Sequence, residues 1–131
     1  TYAEGAGAAS LAAVLNKKIN ISGKNVVAII SGGNLTPNLL DRIIHKGLIK
    51  EGRLLKIKTI MKDVPGSLMK VLEIIAREKG NIMSIVHERA RLEIGYKMTE
   101  VIIEIETRDQ HHIDQILKSL KSKFKVQVMP F

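Results

Sequence analysis

From residue 53 onward, apolar residues alternate between a period of two and a period near 3.6. Leu55, Ile57 and Thr59 alternate with Lys56 and Lys58, which predicts a half-buried strand. Asp63-Val64-Pro65-Gly66 reads as a turn, and Ser67 opens a helix with Leu68, Val71, Leu72 and Ile75 on one face and Gly80 at its end. Asn81 to Arg89 predicts a second strand, and the polar stretch Leu92-Glu93-Ile94-Gly95-Tyr96 a connection. Val101, Ile103 and Ile105 mark a third strand, interleaved with Ile102, Glu104 and Glu106. Asp109 starts a helix with Ile113, Ile116, Leu117 and Leu120 on one face, and Phe124, Val126 and Val128 form a last short strand. Two β-α-β units in this order predict an α+β, ferredoxin-like βαββαβ domain, a four-stranded antiparallel sheet with both helices on one face.

The preceding segment has another character. Gly5 to Lys18 is apolar nearly all round, as a helix buried inside a larger domain would be. Asn25-Val26-Val27-Ala28-Ile29-Ile30 reads as a strand buried on both faces, the parallel-sheet type. Ser31-Gly32-Gly33-Asn34 breaks it. Thr36 then caps a helix that begins at Pro37, carries Leu39, Leu40, Ile43 and Ile44, and is closed by Gly47. Such an α-β-α unit has no neighbouring strands to pair with. The chain therefore divides into residues 1–52, a remnant of something larger, and residues 53–131, one small domain. The opening Thr1-Tyr2-Ala3-Glu4, inside an apparent motif and without a basic or apolar leader, is expected of a fragment.

Composition narrows the function classes. A hydrophobic share of 45% and a charged share of 26% suit a globular protein, and no apolar run approaches the roughly 18 residues of a membrane span. The absence of cysteine removes thiolate and disulfide chemistry and suits a cytoplasmic location. The net charge of +8 is spread along the chain: Lys and Arg outnumber acids by six to three in residues 1–52 and by fifteen to ten in 53–131. That balance gives loose attraction to polyanions without sequence reading.

Residue chemistry disposes of several classes. His111 and His112 are adjacent and point about 100° apart on a helix, and no His or Cys spacing joins them to His45 or His87, so no metal site is expected. Glu104 and Glu106 share a strand face, and so do Lys56 and Lys58 on a neighbouring strand; cross-strand charge pairs explain them better than acid–base catalysis. RNA-binding sheets of this fold stack bases on aromatic residues, and Leu54–Ile60 and Val101–Thr107 contain none, so no nucleic-acid partner is expected. The turn at Asp63-Val64-Pro65-Gly66 supports two readings: an ordinary tight turn, or a place where glycine lets a ligand approach unpaired amides at a helix start.

Asp63-Val64-Pro65-Gly66-Ser67-Leu68, Asn81-Ile82 and His87-Glu88-Arg89 resemble the ACT domain of threonine dehydratases, over the whole of residues 53–131. Val64 stands where many family members carry Arg. The resemblance implies a ferredoxin-like module that binds a free amino acid at a subunit interface. Asp63, Val64, Pro65, Gly66, Asn81 and Ile82 would line the pocket, isoleucine or valine would be the effector, and ACT domains would join a homo-oligomer.

The first segment resembles the same family independently. Glu4-Gly5-Ala6-Gly7-Ala8, Ser31-Gly32-Gly33-Asn34 and Ile44-His45-Lys46-Gly47-Leu48 are similar to the end of its catalytic domain, a type II pyridoxal-phosphate fold. By that resemblance Ser31 would hydrogen-bond the pyridine nitrogen of pyridoxal 5'-phosphate and Glu4 would lie near the ring. The parent enzyme would convert L-threonine to 2-oxobutanoate and ammonia. No Schiff-base lysine context or glycine-rich phosphate loop occurs here, so residues 1–131 alone are expected to hold no cofactor and to be inactive. The other reading is a free-standing ACT-type dimerisation module with no small-molecule ligand.

Overall fold

A computed structural model describes residues 2–88, 95 and 97–131. The chain divides into two compact units, Thr1–Ile44 and His45–Phe131. In the first, α1 spans Gly5–Leu15; α2, Pro37–Lys50, begins there and ends in the second. The second unit continues with β1 Leu54–Lys62, α3 Ser67–Arg77, β2 Asn81–Glu88, β3 Met98–Glu106, α4 Gln110–Lys121 and β4 Val126–Val128.

The strands form one antiparallel sheet in the order β2-β3-β1-β4. β1 pairs with β3 from Leu54 opposite Glu106 to Lys62 opposite Met98. The period of two in both strands sends Leu55, Ile57 and Met61, with Val101, Ile103 and Ile105, to the same face. There they meet Val71, Ile74 and Ile75 of α3 and Ile113, Ile116 and Leu120 of α4 in one core. This is the ferredoxin-like architecture expected from the alternation of periods. β2 ends at Glu88 among the described residues; Arg89 and the expected connection at 92–96, Gly95 apart, lie outside them.

The other sheet face carries cross-strand charge pairs, with Glu104 as expected but with Glu100 in place of Glu106, which accepts from Asn81 instead. Lys56 Nζ lies 2.9 Å from Glu104 Oε1, and Lys58 Nζ 3.2 Å from Glu100 Oε2. The Lys56 ammonium also sits 5.8 Å from the ring centre of Phe131, which packs edge-on against His45. The hydrogen bond from Lys56, another from Ser84 and the charges of Lys56 and His45 together outweigh desolvation and hold the Glu104 carboxyl below its ordinary value of 4.5. Because folding lowers this pKa, the stabilisation is complete above the unfolded value and is lost as pH falls through the folded one. Glu104→Gln should therefore cost only about 0.2–1 kcal/mol at pH 7, and less relative to the wild type near pH 3, as the pH falls below the unfolded value. Urea denaturation at the two pH values measures this; an equal deficit at both would refute it.

Both expected glycine caps shift to other residues. α2 runs through Gly47 to Lys50, and the left-handed residue that ends it is Gly52, φ 66°. The amides of Gly52 and Arg53 bond the carbonyls of Ile49 and Leu48, closing a Schellman motif. α3 ends the same way: Lys79 holds φ 64°, and the amides of Lys79 and Gly80 bond Ala76 and Ile75. Gly80 has no positive φ; it is small because a Cβ there would come within 2.9 Å of Ile75 and of Ile105.

The first unit corrects a further expectation. Asn25–Ile30 forms no strand, and Val27 and Ile29 are 88% and 73% exposed. α1 forms, yet Gly7 is its one buried residue among those described. A strand needs a neighbour for its backbone groups and an apolar helix needs a surface to cover it; residues 2–44 supply neither.

Candidate functional site

The Asp63–Gly66 loop is built by its own sequence. The Ser67 amide donates to the Val64 carbonyl at 3.2 Å, closing a four-residue turn with Pro65 second and Gly66 third. Gly66 has φ 84° and ψ −9°, the values of the third residue of a type II turn, which β-carbons disfavour. The Asp63 amide donates to the Lys97 carbonyl at 2.8 Å, tying the loop to the residue before β3. Gly66 is also the N-cap of α3, so that helix starts with no side-chain cap and no acid in its first turn.

This loop lines a cleft of about 370 Å³. Asp63, Val64, Pro65 and Gly66 all border it, with Ser67 and Leu68 from the start of α3, Met61 from β1, His87 from β2 and Thr99 from β3. A Cβ on Gly66 would meet nothing within 4 Å, so the loop is open at that point. Asn81 and Ile82 are elsewhere. They open β2 opposite Glu106 and Ile105, whereas His87 pairs opposite Val101 near the cleft. Six residues of strand put Asn81 roughly 20 Å from the His87 end. Within one chain the six expected site residues are therefore four together and two apart. Met61, Lys62, Ser67, Leu68, His87 and Thr99 were not assigned to the site from sequence. Met61 and Thr99 become neighbours only through the β1–β3 register, which no local pattern specifies.

The four histidines do not converge, and among the described residues no group of His, Asp and Glu is arranged to hold a metal ion. His112 is 1% exposed, and its ring is fully engaged. Nδ1 accepts from the Arg108 amide at 3.1 Å, which leaves the proton on Nε2 to donate to the Glu78 carbonyl at 2.7 Å.

In the first unit the Glu4 amide donates to the Gly32 carbonyl at 3.3 Å. The Glu4 carboxylate lies against Gly32, and a Cβ on Gly7 would collide with the Ser31 carbonyl. Glu4 and Ser31 are thus held on adjoining stretches of one small unit.

Residues 56–124 match the family description "ACT domain". The chain belongs to the ACT domain family. It is 42% identical over 97% of its length to an L-threonine ammonia-lyase of Thermotoga maritima, and 40% identical over 90% to one of Geobacter sulfurreducens. A threonine dehydratase of Nicotiana attenuata is 30% identical over 81% of it. The chain spans 32%, 29% and 17% of those three proteins. The likeness to the first two reaches well beyond the ACT domain, so the first unit shares it.

Proposed function

We propose that the chain is the C-terminal part of a threonine ammonia-lyase, and that its ACT domain binds a free amino acid at the Asp63–Gly66 cleft to regulate the enzyme. The observation that carries the ligand reading is the start of α3. A helix N-terminus without a side-chain cap borders a cleft, on a turn whose Gly66 leaves the approach open. Its amides favour the carboxylate of an amino acid, and Asp63 supplies negative charge for the ammonium group. Val64, Leu68 and Met61 offer apolar surface to an aliphatic side chain, which favours isoleucine or valine.

Asn81 and Ile82 join this site from a second copy. β2 is an edge strand with exposed Met83, Ile85 and Val86, and such an edge invites another strand. Twofold antiparallel pairing of two β2 edges sets the start of one strand against the end of the other, and so brings Asn81 and Ile82 towards the partner's cleft. The same exposed edge also suits the alternative of a pure assembly module, which a ligand titration separates.

Residues 1–52 would complete the catalytic domain of the longer enzyme. The adjoining Glu4 and Ser31 stretches fit the ring-nitrogen end of pyridoxal 5'-phosphate, Ser31 through its hydroxyl and Glu4 beside the ring. When bound, that cofactor supplies the electron sink for loss of water from L-threonine. The Schiff-base lysine and the phosphate loop would come from the rest of the enzyme, which would also pair with residues 25–30.

Calorimetric titration of isoleucine, valine, threonine and serine, with mass measured by light scattering, tests the effector reading. Saturable binding to a dimer or larger species is the expected result. Gly66→Leu carries a Cβ at positive φ and should lower stability by about 1–2 kcal/mol while abolishing binding. Full affinity in a folded Gly66→Leu protein would remove the loop from the site.

A further inference from the structure

A second cleft, of about 430 Å³, lies at the opposite end of the sheet from the Asp63–Gly66 loop. Arg53, Lys79 and Arg108 line it, with Asn81, Glu106, Thr107 and His112. Among the described residues none of the three cations forms an ion pair. The acid on the wall, Glu106, accepts a hydrogen bond from Asn81 at 3.1 Å. Three cations against one carboxylate leave the cleft lining with a net positive charge, which a bound anion would offset.

The backbones that carry these charges are fixed to one another. The Arg53 carbonyl accepts from the Thr107 amide at 2.9 Å, and the Thr107 hydroxyl donates to the Gly52 carbonyl at 2.8 Å. That joins Arg53 to the residue before Arg108. His112 then bonds the Arg108 amide on one side and the carbonyl of Glu78, next to Lys79, on the other. Asp109 caps α4 by accepting from the His112 amide, which places a carboxylate at that helix start, so the attraction rests on the basic side chains. Convergent cations on a pre-fixed frame suit a compact, multiply charged oxyanion.

We propose that Arg53, Lys79 and Arg108 form a binding site for a phosphate group at the opposite end of the sheet from the Asp63–Gly66 loop; Asn81 borders it and, in the dimer proposed above, also faces the partner's amino-acid cleft. The group is either free phosphate or the head of a small phosphate monoester.

Lys79 provides a test that unfolding does not confound. It occupies the left-handed position of the α3 Schellman motif, where glycine is preferred, so Lys79→Gly should retain or raise stability while removing one cation. The 131-residue chain is titrated with inorganic phosphate at constant ionic strength, followed by amide chemical shifts. Saturable shifts should appear around Arg53, Lys79 and Arg108. Lys79→Gly and Arg108→Gln should each weaken binding about tenfold. The double variant Lys118→Gln, Lys121→Gln lowers the net charge further but elsewhere on α4, and should change affinity less than about twofold. A parallel titration with glycerol 3-phosphate identifies the source: tighter binding assigns a monoester, weaker binding the free anion. Shifts that never saturate, or an equal loss in the α4 double variant, would mean diffuse attraction to a basic protein and would overturn the site. Amino-acid binding is read at Asp63–Gly66 in a separate titration without phosphate, and Lys79→Gly and Arg108→Gln leave Asn81 in place, so failure of the phosphate site and failure of the amino-acid site are told apart.

Discussion

Gly80→Val should destabilise the ACT domain by about 3 kcal/mol, at the upper end of what overpacking a core usually costs. Gly80 sits where α3 turns into β2, and its backbone is pressed into the seam between sheet and helices. A Cβ would approach Ile105 Cγ2 and Ile75 Cγ2 to 2.9 Å and Ile116 Cδ1 to 3.1 Å. All three isoleucines are fully buried, so none can swing into solvent to make room. Valine adds two methyl groups to that collision. Gly80 has no positive φ, so the cost is packing alone, and Gly80→Ala should fall between glycine and valine. A loss near 3 kcal/mol is a large part of the stability of a small domain. The contrast with Lys79→Gly is informative, because the neighbouring position should gain from the residue that Gly80 must remain. Chemical denaturation of the three variants measures the series; a valine variant within 1 kcal/mol of wild type would show that the seam can open.

The second large effect is at His112. The ring is buried and bridges two backbone groups, the Arg108 amide and the Glu78 carbonyl. Next to it, Ser119 Oγ donates to Glu78 Oε1 at 2.6 Å, so the end of α3 is tied twice to α4. His112→Leu fills similar space and leaves both backbone groups without their partner. Each buried group so orphaned costs about 1–3 kcal/mol, and the pair should cost about 2–4 kcal/mol. Two further variants divide that loss. Asparagine places an oxygen where Nδ1 lies and can still accept from Arg108. Glutamine places an amide nitrogen where Nε2 lies and can still donate to Glu78. Each should recover roughly half of what leucine loses. If all three variants lose the same amount, the ring contributes by shape and the hydrogen bonds do not matter.

Much of the ACT domain is legible in its sequence, because each element carries its own period. Alternation at Leu55–Thr59 and Val101–Ile105 and the helical spacing of Leu68–Ile75 and Ile113–Leu120 specify which faces are apolar. Two β-α-β units with such faces have few ways to bury them together. The turn at Asp63–Gly66 is legible for a local reason as well: Pro65 and Gly66 adopt the required backbone with little help from the rest of the chain. The charge pair of Lys56 with Glu104 follows from the same alternation.

What tertiary structure alone decided is which distant residues meet. Strand register set Met61 beside Thr99 at the cleft and put Asn81 at the other end of β2, though all lie in regular strands. Helix ends were also decided there, since two glycines near an end look alike in sequence. Gly47 remains inside α2 while Gly52 turns left-handed against Gln110, and Gly80 yields the left-handed position to Lys79 because the isoleucine seam needs its missing side chain more. His112 reads as one of two adjacent histidines, and only the packing of α4 against α3 makes it a buried bridge. Asn25–Ile30 shows the opposite limit. Its composition states a preference for a buried strand, but a strand is a relation between segments, and the sequence of one segment cannot supply the other.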